Sequence, residues 1–295
     1  MKKFLILFFI LYNFTVLAQQ PIDLKLNLIK NQCFTITKIN KSEGTVFFQG
    51  EEKPKYMSDK DVYECSVLEA GKKGFTIKIT YTDFFHEIKY LHMDTKMSPE
   101  LVDEHNIYNP STLLALKLNH SFTVLLSDKG KVLKIKQLKK YIADIQKKVN
   151  TVLNKEMREI YLKSIPADKD IIQAIELVTN FYPNNPVNVG EQWTNHKANF
   201  TLKQITDTTY IIESESNYQS DTSDKKELSG MLIYINETVR QTAIITIEKQ
   251  TGLPYSYSVI EEKEGYTVVE NKEGQELMRM SHSDNLTRDT FIKLK

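Results

Sequence analysis

His86, His92 and Asp94 are the residues whose types come nearest to a metal set. If Phe84 to Asp94 is one continuous strand, their even numbers place all three on one face. Histidine and carboxylate together hold zinc, but residues six apart on an extended chain lie roughly 20 Å apart. One ion would need a fold-back, so both histidines read as surface residues and no metal ligand is assigned. His282 and Asp284 form a second polar pair near the chain end. The sequence has no Gly-x-Ser-x-Gly elbow, no His-Glu-x-x-His and no phosphate-binding Gly-x-x-x-x-Gly-Lys-Ser/Thr loop. Aspartate and glutamate total 38, and nothing singles out one pair for acid–base work. No catalytic residue and no cofactor is assigned, and the chain reads as non-enzymatic.

Cys33 and Cys65 are the only two cysteines. Both lie in strand-like runs, and in an exported chain a Cys33–Cys65 disulfide is available if the Cβ geometry allows it. The other reading is two free thiols in different strands. Trp193, the single tryptophan, follows Gly190 at a strand start, where a large aromatic anchors a core or, in a second reading, stacks on a ligand. Gly190 suits a positive φ or a close approach, and Gly252 with Pro254 marks a tight turn.

The elements that must position these residues follow from composition and periodicity. The 295 residues are 41% hydrophobic and 26% charged, with 39 Lys+Arg against 38 Asp+Glu. That balance describes a folded protein and gives no electrostatic reason to expect nucleic acid as a partner. Lys2 and Lys3, the apolar run Phe4 to Leu11, and Val16 and Ala18 at small-residue positions compose an export signal over residues 1–18, cleaved between Ala18 and Gln19. No later run is long and apolar enough for a membrane-spanning helix.

Period-two alternation in Phe34–Ile39, Tyr63–Leu68 and Phe75–Tyr81 predicts strands, with Gly71 and Gly74 marking the turn between the last two. Phe122 to Ile135 reads as a hairpin around Asp128 to Gly130. From Leu138 to Ile160 the apolar spacing becomes three-four, and Asp168 can cap a second helix with Ile171, Ile172, Ile175 and Val178 on its apolar face. Strands resume after Val187 and end in the turn at Gly252-Leu-Pro254 with its return strand. Residues 129–163 carry eleven basic side chains against three acidic ones. They read as a solvated face complementing acidic segments such as 261–276, with contact to a membrane or polyanion as the second reading.

The order of these pieces, with Ser127-Asp-Lys-Gly-Lys-Val, Val189-Gly-Glu-Gln-Trp193 and Thr251-Gly-Leu-Pro254, resembles a family of exported bacterial proteins of unknown function. Its Val-Gly-Asp-x-Trp-like segment carries Glu191 here in place of Asp. The resemblance spans most of the chain beyond the leader and implies architecture and an exported location, with no activity attached.

The expectation is therefore an α+β protein: two antiparallel, curved β-sheets or half-barrels joined by a central helical pair. The units are residues 19–135 (β-rich), 136–182 (helical linker) and 183–295 (β-rich). The leading functional reading is a periplasmic or secreted cell-envelope protein that binds an apolar ligand or lipid between sheet and helices. An envelope protein-interaction or scaffold module is the alternative, and a hydrolase with carboxylates brought together by the fold comes third. The sequence does not set the oligomeric state.

Overall fold

The computed structural model describes residues 20–48, 51–103, 105–106, 109–153, 155, 158, 171–172, 175–176, 179–195, 198–219, 226–228 and 231–295. The export signal and its cleavage point at Ala18 and Gln19 lie outside these residues. So does most of the second expected helix, of which residues 171–172, 175–176 and 179 are described and helical.

Among the described residues thirteen strands form one sheet. The first six are β1 (Cys33–Phe48), β2 (Glu51–Gly71), β3 (Gly74–Tyr90), β4 (Met93–Met97), β5 (Ser121–Leu126) and β6 (Val132–Lys136). The rest are β7 (Gln192–Asn195), β8 (Ala198–Ile205), β9 (Thr209–Gln219), β10 (Lys226–Leu228), β11 (Met231–Glu248), β12 (Pro254–Glu270) and β13 (Glu276–Leu294). The spatial order is β6-β5-β3-β2-β1-β13-β12-β11-β9-β8-β7, with β4 on β3 and β10 on β11.

This order corrects the expected α+β architecture of two sheets with helices between them. β1 pairs antiparallel with β13 from Phe34↔Leu294 to Val46↔His282, so the first and last strands zip both halves into a single, predominantly β layer. Sequence periodicity misses this seam because Arg279 to Arg288 is mainly polar. Its strand state comes from backbone pairing with β1 on one side and β12 on the other. The strands also run further than their apolar cores: β11 continues from the apolar start at Met231 through a polar middle to the apolar stretch ending at Glu248.

The helices are few among the described residues. α1 (Pro110–Ala115) starts with Pro110 behind Asn109, whose side chain accepts from the Ser111 amide at 2.8 Å. α2 (Leu138–Val152) buries Leu138, Ile145 and Val149 along one stripe and leaves Lys139, Lys140, Lys147 and Lys148 exposed. None of these four lysines pairs with an acid among the described residues. Two of the acids expected to complement them are otherwise engaged: Glu261 with Arg288 and Lys263, and Glu276 with Arg279.

The segment before β1 fixes the curvature of the sheet. Leu24, Leu26 and Leu28 alternate with exposed polar residues and are almost fully buried. The Leu26 amide donates to Asp128 O in the β5–β6 turn, and the next amide, Asn27, donates to Thr251 O in the β11–β12 turn, both at 2.7 Å. Asp128 follows β5 and Thr251 precedes β12, five strand spacings away in the sheet. In a flat sheet that is about 24 Å. Two adjacent amides reach both turns only because the sheet curls around this plug.

Candidate functional site

The concave face built by this curl reads as alternation along each strand. Phe34, Ile36 and Lys38 of β1 share it with Cys65, Tyr63 and Asp61 of β2 and with Ile77, Ile79 and Tyr81 of β3. After Tyr81 the parity switches. Val62 pairs with Asp83 while Tyr63 pairs with Tyr81, leaving Thr82 as the extra residue of a β-bulge. The bulge turns Phe84 and His86 inward, whereas the uninterrupted alternation would send them out.

Together with the helical layer most of these residues line a partly open cavity of about 350 Å³. Leu26 and Leu28 of the plug, Leu114 of α1, Tyr141 and Ile145 of α2, and Ile171 and Ile175 complete its largely apolar wall. The volume lies at the small end of the range of ligand sites, roughly 300–1,000 Å³.

One pole of the cavity is charged, because the inner positions of the strands change character along their length. Lys38 stands directly across from Asp61, two residues beyond Ile36 and Tyr63. Asp61 accepts from the Tyr81 hydroxyl at 2.6 Å and bonds His86 Nε2 at 3.1 Å; the other ring nitrogen of His86 lies 3.4 Å from Asp59. Burial alone would push the Asp61 carboxyl up. The bonds from His86 and Tyr81, with the charges of His86 and Lys38, outweigh it and hold the carboxyl below its ordinary value. His86 shows the mirror effect: burial would lower it, but Asp61 and Asp59 raise it. Burial pushes Asp59 up and the Tyr81 phenol far up.

Lys117, two residues past α1, enters the same pole. Its segment is pinned to β3 by the Asn119 amide, which donates to Tyr81 O at 2.8 Å. Burial holds both Lys38 and Lys117 below the ordinary lysine value, with the Asp61 charge opposing it in each case. Neither ammonium has an acidic partner within 4 Å among the described residues. The neighbouring buried acid, Glu261, is 2% exposed and already held by Arg288 at 3.0 Å and Lys263 at 2.9 Å. His120 lines the cavity edge-on to the Tyr141 ring, and its buried Nε2 has no hydrogen-bond partner among the described residues.

The residues singled out from sequence are mostly structural. Phe34, not Cys33, stands opposite Cys65, so the two cysteines point to opposite faces, and both thiols are free. Of the two readings, two free thiols in different strands is the one this register shows. Burial raises the Cys65 thiol to about 12, which keeps it protonated and inert. His86 is the histidine the sequence misplaces at the surface, and the straight strand to Asp94 is a hairpin: Tyr90 pairs with Met93 and His92 sits exposed in its turn, with Asp94 exposed beyond it. Among the described residues no group of three His, Cys, Asp or Glu is placed to hold a metal ion. His282 lies against Glu237 at 3.4 Å, while Asp284 pairs with Lys55 at 2.8 Å. Trp193 donates from Nε1 to Phe181 O at 2.8 Å and stacks on Phe200, outside the cavity wall. Gly190 has φ +85 and open space around a Cβ, so conformation alone selects it. Gly252 has φ +70, and a Cβ there would stand 1.9 Å from Lys25 O of the plug; Pro254 begins β12 and touches the cavity.

Sequence reasoning missed Lys38, Asp61, Lys117 and His120. A signal for two of them exists: Lys38 continues the parity of Phe34 and Ile36, and Asp61 that of Cys65 and Tyr63. A charged residue at a core-facing position marks a polar pole.

Residues 72–254 match the family of unknown function DUF6263. The chain belongs to this family. No curated protein matches the sequence. Among solved structures, one described as lipid–protein interactions in lipovitellin is similar at 8% identity and a TM-score of 0.47, over 91% of this chain and 26% of that one. This chain therefore spans about a quarter of that protein's length. The translocator domain of the autotransporter NalP from Neisseria meningitidis aligns at 5% identity over 90% of each chain, with a TM-score of 0.20. An outer membrane channel from Pseudomonas putida F1 aligns at 8% identity over 93% of this chain and 99% of that one, with a TM-score of 0.21. No helix among the described residues is long and apolar enough to cross a membrane.

Proposed function

We propose that this is an exported, non-catalytic protein of the cell envelope that holds an apolar, lipid-like ligand between its curved sheet and the helices above it. The observation that carries the reading is the cavity: about 350 Å³, walled mainly by aliphatic and aromatic side chains from the plug, the sheet and the helical layer. Side chains of this kind close onto each other in a purely structural core, leaving few voids larger than a water molecule. The leader-like residues 1–18 support export. The cavity volume suits one acyl chain or a compact apolar molecule better than a multi-chain lipid. A scaffold acting through sheet edges has less to work with, since the terminal strands β6 and β7 have only five and four residues.

The test is a blocked cavity. Ile79 is a partly buried residue of the wall, and Ile79→Trp projects an indole into the space. With the protein folded by circular dichroism, wild type should bind the neutral apolar dye N-phenyl-1-naphthylamine with enhanced, blue-shifted emission, and Ile79→Trp should weaken binding at least about tenfold. Equal binding by the two proteins would contradict the reading.

A further inference from the structure

Resting on the reading of the cavity as a ligand site, we infer that its occupant is a single-chain amphiphile with an anionic head, and that Lys38 and Lys117 hold that head at the charged pole. The inference starts from charge balance. The ionisable side chains on the wall include two lysines and one carboxylate, Asp61, and that carboxylate already has two bonded partners, Tyr81 and His86. Asp61 is therefore a shared counter-charge that satisfies neither lysine. Among the described residues both ammonium groups are partly withdrawn from water without an ion pair, an arrangement that is unfavourable unless something else meets them.

The cavity wall carries a third unmet group. His120 Nε2 is buried and unpartnered among the described residues, where nearly all such atoms find a hydrogen bond. A wholly apolar occupant would leave all three groups desolvated. A water-filled pole would leave the apolar end of the cavity empty. An anion on an acyl chain meets both requirements: its oxygens accept from Lys38, Lys117 and His120, and its chain lies against Ile36, Ile79 and Ile145. The topology holds the three donors in place, since Lys38 lies mid-strand in the sheet and Lys117 and His120 flank the Asn119 bond to β3. A carboxylate from a free acyl chain and a phosphate from a single-chain phospholipid share this chemistry.

Displacement of N-phenyl-1-naphthylamine from delipidated protein at pH 7 tests it, with dodecanoic acid, dodecyl phosphate and dodecanol as competitors. The chains are identical and only the heads differ. At least one of the two anions should displace the dye at a concentration about tenfold or more below dodecanol, the worth of one charge-assisted hydrogen bond. Preference for the acid or for the phosphate identifies which source the pole suits. Lys38→Met and Lys117→Met keep the side-chain bulk while removing the charge. Each should reduce the advantage of the anions over dodecanol several-fold. Equal displacement by acid, phosphate and alcohol in wild type would overturn the head-group inference and leave apolar binding standing. So would an anion advantage untouched in both variants. A dye that fails to bind wild type at all would overturn the cavity reading and this inference with it.

Discussion

Asp61 sits where three demands meet: a buried carboxylate, the ring of His86 and the Tyr81 hydroxyl. Replacing it with asparagine keeps the size but leaves a raised, partly buried histidine without its main partner. Asp61→Asn should lower stability by about 2 kcal/mol in urea unfolding at pH 6. The pH dependence has a definite sign. His86 is raised above its ordinary 6.5, so its contribution is complete below that value and disappears as pH rises through the higher folded value. Asp61 is lowered below 3.8, so its contribution is complete above that value and disappears as pH falls through the lower folded one. Asp59 also faces the histidine and reinforces the first trend by raising it, whereas Lys117 weakens it. His86→Gln should accordingly flatten the part of the stability–pH curve that begins near 6.5 and continues upward; an unchanged curve would show that the Asp61–His86 pair contributes nothing. The two turn glycines make a separate contrast. Gly190→Ala meets only the penalty of a left-handed backbone, about 1 kcal/mol, whereas Gly252→Ala also drives a Cβ into Lys25 O and should be at least twice as destabilising.

At the scale of elements, strands with one apolar face were legible and strands without one were not. Phe34–Ile39, Tyr63–Leu68 and Phe75–Tyr81 declare themselves because every second residue faces the core. The Gly71–Gly74 and Asp128–Gly130 turns declare themselves through chemistry that few other residues supply. β13 does not, because Arg279 to Arg288 owes its conformation to two neighbours far away in sequence. His86 was misplaced for a related reason: the bulge at Thr82 shifts the alternation by one, and nothing local announces it. The helical layer is the thinnest part of the structure. α2 packs through Ile145 and Val149 onto a small cluster with Leu116 and Leu153, apart from the main core of the sheet. Amide hydrogen exchange should therefore be markedly faster in residues 139–152 than in the central strands β1, β12 and β13, and an occupant of the cavity should slow it. Protection in α2 equal to that of the central strands would contradict a separable lid.

The molecule as a whole is organised by contacts between its ends. β1 runs beside β13, and Leu26 and Asn27 tie the β5–β6 and β11–β12 turns together. Neither half can lose its strands without exposing the other's edge, so unfolding should be one transition. Trp193, in the half furthest from β1 along the chain, reports it by fluorescence, and its curve should superimpose on far-ultraviolet circular dichroism; two resolved transitions would mean the seam is weak. The curl of the sheet is also what creates the cavity, and the occupancy of that cavity is the central claim. Native mass spectrometry of the protein purified gently from its own envelope fraction, followed by denaturing spectra of the same sample, addresses it most directly. The account predicts a mass excess of a few hundred daltons that survives native conditions and is lost on denaturation, with the released species ionising as an anion. A bare polypeptide mass in repeated gentle preparations, together with no uptake of added dodecanoic acid, dodecyl phosphate or dodecanol, would contradict it.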